Sequence, residues 1–135
     1  MFLCIPTVGQ KVVVVEGWTF KLYWERRNDS LFTLFDIQRP PVRTFYEDYE
    51  GGEDAWKAAR LGLHPKPPLR HNEVTLPAGT VLTIDRIYLR KGNEEFDSIT
   101  FIINGAKQLG KVGAHARVRF WVKLEDVNTG RLKLL

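Results

Sequence analysis

The chain has 135 residues, of which 44% are hydrophobic and 27% are charged. This composition excludes a disordered chain, and the length suits one domain or two very small modules. The formal charge of +4 lies entirely in the second half, because residues 1–68 hold nine basic and nine acidic side chains whereas residues 69–135 hold eleven and seven. A local excess of this size permits a polyanion partner but does not require one.

Cysteine content and motifs argue against catalysis. Cys4 is the only cysteine, so no intramolecular disulfide can form, and the three histidines lack the spacing of a zinc site. The sequence contains no Gly-x-Ser-x-Gly and no His-Glu-x-x-His motif. The first ten residues do not resemble a signal peptide, and no apolar run is long enough to span a bilayer. We therefore expect a cytoplasmic, non-catalytic protein that uses no metal or cofactor and does not enter a membrane.

The first half predicts antiparallel strands followed by one helix. Alternating or β-branched segments indicate strands at residues 11–16, 18–25 and 31–37, with a turn at 26–30 and a further short strand at 42–46.

The helix is expected within residues 51–65. Glu53 and Asp54 suit the positive end of its dipole, and Gly62 stands where a left-handed C-cap belongs. The proline-rich stretch 64–72 then predicts a linker.

The second half predicts strand, turn and strand. Residues 81–91 change their apolar phase near Asp85, which indicates a β-bulge at Asp85–Arg86. Further strands are expected at 96–104 and 117–124, separated by a loop at 105–116, and a short strand ends the chain. The residues expected to be buried are Trp18, Phe20, Leu22, Trp24, Leu82, Ile84, Phe101, Phe120 and Val122.

Residues 73–135 resemble a Src-homology-3-like small β-barrel. The resemblance rests on the long first strand led by Gly79 in "LPAGTVLTIDRIYL" and on the ending "WVKLEDVN", where a short helical turn separates the last two strands. Together with the strands, helix and linker predicted for the first half, it leads us to expect a mostly-β (α+β) protein with a sheet-plus-helix module at 1–63, a linker at 64–72 and a barrel at 73–135. The two modules could pack as one body, since each is near the lower size limit for an independent core.

The first half resembles the three-strand-plus-helix arm-binding modules of phage integrases and the plant ethylene-response DNA-binding domain. The matching stretch is "RTFYEDYEGGEDAWKAARLGL" at residues 43–63. Those modules read DNA with basic residues on a sheet face. The size and the two-part build are also similar to accessory proteins of bacteriophages.

The best candidate site is a basic strip on the strand at 117–124. Val118, Phe120 and Val122 occupy one face, and the opposite face carries three cations and a ring. Cations can pair with phosphates while an exposed ring stacks on a base. The predicted nucleic-acid-binding residues are Arg117, Arg119, Trp121 and Lys123, with Tyr88, Arg90 and Lys91 on an adjoining face.

Two other readings stay open at this point. The basic residues could simply solvate the outside of a sheet, with Trp121 covered by residues from the first half. Alternatively, the chain could be a protein-binding module, such as a phage-encoded factor that binds or inhibits a host protein. Phosphate binding weakens steeply with salt, whereas an apolar protein interface responds much less.

Overall fold

The computed structural model describes residues 7–37, 52–62, 70–92, 97–105 and 117–135, and within these ranges the chain forms seven strands and three α-helices. The strands are β1 (Lys11–Val14), β2 (Trp18–Tyr23), β3 (His71–Leu76), β4 (Val81–Tyr88), β5 (Ser98–Asn104), β6 (Arg117–Lys123) and β7 (Leu132–Leu134). The helices are α1 (Asp29–Leu34), α2 (Gly52–Arg60) and α3 (Leu124–Val127), and a 3-10 turn at Arg26–Asn28 precedes α1.

Five strands form one antiparallel sheet in the order β6-β5-β4-β1-β7. The register shifts between Ile84 and Arg86, which confirms the bulge expected at Asp85–Arg86. β2 and β3 form a separate two-stranded antiparallel ribbon. Hydrogen bonding between the described strands leaves β6 and β7 as open edges, so these strands do not close into the barrel that the sequence suggested.

The core lies between the inner face of the sheet and the ribbon. Strand alternation places Val118, Phe120 and Val122 inside, each at most 2% exposed. The Phe20 ring of the ribbon stacks on Phe120 at a centroid distance of 5.7 Å. Eight of the nine residues expected to be buried are buried; Trp24 is half-buried and packs against the edge of this core.

The expected strand at 31–37 is wrong, because most of this segment belongs to helix α1. The helix buries Leu31, Phe32 and Leu34, and it ends where Asp36 takes a left-handed φ of 56°. Asp29 in its first turn suits the helix dipole. A short apolar run does not distinguish a strand from a buried helix, and here tertiary packing selects the helix.

The expected linker is also longer than the structure allows. His71 and Asn72 belong to β3, where they pair with Tyr23 and Leu22 of β2. The prolines of the stretch lie outside the described residues, as do Cys4, the strand expected at 42–46 and most of the loop at 105–116.

The chain divides into two compact units, and these differ from the two expected modules. The larger unit combines residues 1–37 with residues 71–135, because β1 and β2 pair with strands from the second half. The smaller unit spans residues 38–70. A mostly-β, α+β fold is therefore confirmed, with strands from both halves sharing the larger unit.

Helix α2 of the smaller unit has the expected features. Glu53 pairs with Lys57 at 3.3 Å, and the Arg60 guanidinium lies over the Trp56 ring. Gly62 follows the helix with a φ of 77°, so the predicted left-handed C-cap is confirmed. No helix in the described ranges has the length and apolarity needed to cross a membrane.

Candidate functional site

The predicted site residues lie on or beside the outer face of strands β4, β5 and β6. Cross-strand pairing places Arg117 beside Asn104, Arg119 beside Ile102, and Lys123 beside Ser98. These positions alternate with buried residues, so their side chains point away from the core. We call the cations on and beside this surface the cationic face: Arg86, Arg90, Lys91, Arg117, Arg119 and Lys123.

The bulge of β4 adds a cation that the sequence analysis did not select. Arg86 pairs with Thr100, which in turn pairs with Trp121, so Arg86 lies on the same row as the centre of β6. A strict alternation along β4 would place Arg86 on the same face as the buried Leu82 and Ile84. The extra residue of the bulge turns the Arg86 side chain to the opposite, outer face. The phase change at Asp85–Arg86 was the signal that could have found it.

Asp85 holds two arginines together on this face. Its Oδ2 lies 3.4 Å from Arg119 Nε and 3.8 Å from Arg86 Nε. The Arg86 and Arg119 side chains remain 61% and 45% exposed. Neither contact is a hydrogen bond, so charge attracts the two guanidinium groups to Asp85 while each keeps N–H donors that a ligand can use.

Tyr88 is held by its neighbour on the same strand. Arg86 donates a hydrogen bond of 3.2 Å to the Tyr88 hydroxyl, and this contact lowers the pKa of Tyr88. Tyr88 pairs with Ser98, which pairs with Lys123, so these three residues form the next row of the face.

Arg90 lies near the Lys123 end of the face. Its backbone N–H donates to Asp97 Oδ1 at 2.6 Å, while the N–H of Leu124 donates to the Asp97 carbonyl oxygen at 2.8 Å. Asp97 therefore joins the end of β4 to the residue that follows Lys123. Arg90 and Lys91 are both exposed.

Trp121 does not occupy the exposed position that the alternation suggested. It is only 7% exposed and stacks on Tyr23, with centroids 5.4 Å apart and planes 3° apart. Its indole N–H donates to Glu25 Oε2 at 2.7 Å, and its backbone N–H donates to Asn28 Oδ1 at 2.8 Å. The expectation that Trp121 offers a ring to a base is therefore corrected: residues of the first half cover it.

The group around Trp121 also includes two cations. Lys123 Nζ lies 4.9 Å from the centroid of the Tyr23 ring, and Arg27 lies 5.7 Å from the centroid of the Trp121 ring. Arg27 forms an ion pair with Glu25 at 3.1 Å. Burial acts to raise the pKa of Glu25, but hydrogen bonds from Trp121 and Arg27 outweigh this effect and the pKa is lowered.

The described residues contain no group of three or more side chains suited to holding a metal ion. What the face offers is several exposed guanidinium and ammonium groups with an adjoining hydroxyl. Such groups bind anionic oxygens, in particular phosphates. No protein-family model, curated protein or solved structure matches the chain.

Proposed function

We propose that the protein binds nucleic acid through the phosphate backbone, using the cationic face. The observation that carries this proposal is the placement of Arg86, Arg117, Arg119 and Lys123 on one outward surface of three paired strands. Their positive charges face the same region of solvent, so a polyanion is attracted by several of them at once.

The shared carboxylate Asp85 supports phosphate binding rather than simple solvation. Isolated surface arginines sample many conformations, and ordering them opposes binding. Ion-pair contacts of 3.4 Å and 3.8 Å to Asp85 keep Arg119 and Arg86 close together before a ligand arrives. Neighbouring planar guanidinium groups suit recognition of phosphate.

A Src-homology-3-like arrangement belongs to the same proposal. The strand order β7-β1-β4-β5-β6 supports it, as does the helix α3 between the last two strands of the chain. In this arrangement β1, from the first half of the chain, is the first strand of the sheet in sequence order. A fold of this kind serves many functions, so the functional argument depends on the cationic face itself.

The experiment compares two double variants that each remove two positive charges. Arg117→Ala with Arg119→Ala changes the cationic face, whereas Lys57→Ala with Arg131→Ala removes cations that pair with Glu53 and Glu16. Binding to a DNA fragment is measured across a salt series. We expect the first variant to weaken binding and to flatten the salt dependence by about one unit per lost phosphate contact.

The control should retain most of the affinity of the parent, because neither of its residues belongs to the cationic face. Equal effects of the two variants would mean that only net charge matters. An absence of binding by the folded parent at low salt would refute the proposal.

A protein partner is the second candidate function, and the edge strand β7 favours it. Among the described strands β7 pairs with β1 alone, and Leu134 and Leu135 after Lys133 are 46% and 70% exposed. An exposed edge strand with apolar side chains can accept a strand from another protein. Binding to a partner that persists at high salt and is lost in Leu134→Lys would support this candidate.

A cytoplasmic location and a role as a bacteriophage accessory protein belong to the proposal as well. A single cysteine in 135 residues is compatible with a reducing compartment. For a phage-encoded factor, the partner at β7 would be a host protein.

A further inference from the structure

We infer that the nucleic acid bound by the cationic face is a duplex, contacted through its phosphates without sequence preference, and not a single strand held by base stacking. This inference rests on the proposed function and names the ligand class of the same site. It follows from the way Trp121 is held and from the arrangement of the cations.

Single-strand binding without sequence preference commonly combines a basic groove with rings on which bases stack. Trp121 is the ring that alternation places among the cations of β6. Tyr23 already stacks on it at 5.4 Å, and only 7% of the residue is exposed. A base could reach this ring only by displacing part of its cover, which includes the Tyr23 ring and the Arg27 guanidinium.

Displacing Tyr23 would also disturb the backbone of the edge strand. Asn28 accepts the backbone N–H of Trp121 and donates from its side-chain amide to the Tyr23 carbonyl oxygen, at 2.8 Å and 3.0 Å. Asn28 is fully buried, so any movement of the Tyr23 backbone that broke these bonds would leave their groups without replacement by water in the intact fold. The stack is therefore part of the folded structure, and the surface left to a ligand is that of the cations and of Tyr88, whose hydroxyl already accepts a hydrogen bond from Arg86.

The cations favour the ligand with the higher density of phosphates. Duplex DNA carries one charge per ~1.7 Å of axis, whereas a single strand carries one per ~3.4 Å. The cationic face spans positions on β4 and on β6, with β5 between them, so it is wider than one strand of cations. A surface of this kind can meet phosphates from both strands of a duplex.

The test measures the affinity of the parent for a short DNA duplex, for each of its separate strands, and for a second duplex of unrelated sequence. At equal salt we expect the duplex to bind roughly tenfold more tightly than either strand, since more condensed counterions are released. The two duplexes should bind with equal affinity, because phosphates carry no sequence information.

Trp121→Phe is the matched variant, because it keeps a buried ring beside Tyr23 and removes the indole N–H. We expect its duplex affinity to stay within about twofold of the parent value, because the ring at position 121 does not contact the ligand. Tighter binding of single strands than of the duplex by the parent would overturn the inference while leaving nucleic-acid binding intact. A parent that binds neither form at low salt would overturn the proposed function and this inference with it.

Discussion

Replacing Asn28 with alanine should be one of the most damaging single changes in the larger unit. The Asn28 side chain is fully buried, and its amide joins two elements that lie far apart in the sequence. It accepts the Trp121 backbone N–H at 2.8 Å and donates to the Tyr23 carbonyl oxygen at 3.0 Å. Alanine satisfies neither group.

The magnitude follows from the two groups left without partners. An unsatisfied buried donor or acceptor costs about 1–3 kcal/mol, so the loss of both should lower the free energy of unfolding by roughly 4 kcal/mol. For a chain of this length, that loss corresponds to a decrease in Tm on the order of 10–15 °C. Urea denaturation followed by far-ultraviolet circular dichroism measures the free energy, and an unchanged m-value shows that the unfolding transition is comparable.

Asn72→Ala is the matched control. Asn72 also bonds a tryptophan, accepting the Trp24 indole N–H at 2.7 Å, but it is only half-buried and water can replace it. We expect this variant to lose about 1 kcal/mol. If Asn28→Ala lost no more than Asn72→Ala, the argument that Asn28 fixes the β2 segment to the edge of β6 would be refuted.

Two further predictions concern close packing and pH. Gly130→Ala should cost about 1–3 kcal/mol in thermal or urea unfolding, because a Cβ there would lie 2.8 Å from Trp18 Nε1; Gly17→Ala, whose Cβ would lie 3.9 Å from its nearest neighbour, should be nearly neutral. The pKa of Glu25 is lowered in the folded state, so its contribution to stability is present above its ordinary value of 4.5 and is lost as the pH falls through the folded-state pKa. The stability difference between the parent and Glu25→Gln should therefore shrink with acidification, and a difference that grew instead would show that the bond from Trp121 does not act on Glu25 as the structure indicates.

Much of the fold could be predicted because strand alternation is a local signal. The inward positions of β6 follow from the two-residue period of its apolar side chains, and the bulge at Asp85–Arg86 follows from an interruption of that period in β4. The segment 31–37 was read incorrectly, since Leu31, Phe32 and Leu34 are equally suited to a buried strand or a short buried helix. The placement of β1 between β4 and β7 depends on long-range pairing that no local pattern contains.

The candidate site was predicted only in part for the same reason. Alternation placed Arg117, Arg119 and Lys123 outward, which the pairing with β5 bears out geometrically. The cover over Trp121 includes the Tyr23 ring together with Asn28 and Glu25, and the last two are 93 and 96 residues away in the sequence. A local pattern shows which face a side chain occupies but not which distant residue packs on it.

The central claim, that the cationic face meets nucleic acid, is tested most directly by nuclear magnetic resonance. Backbone amide shifts of the isotope-labelled protein are followed while a short DNA duplex is added at low salt. We predict perturbations concentrated at residues 117–123 of β6 and at Arg86 and Arg90, and their disappearance on adding salt. Perturbations confined to β7 or α2, or none at any duplex concentration, would contradict the account.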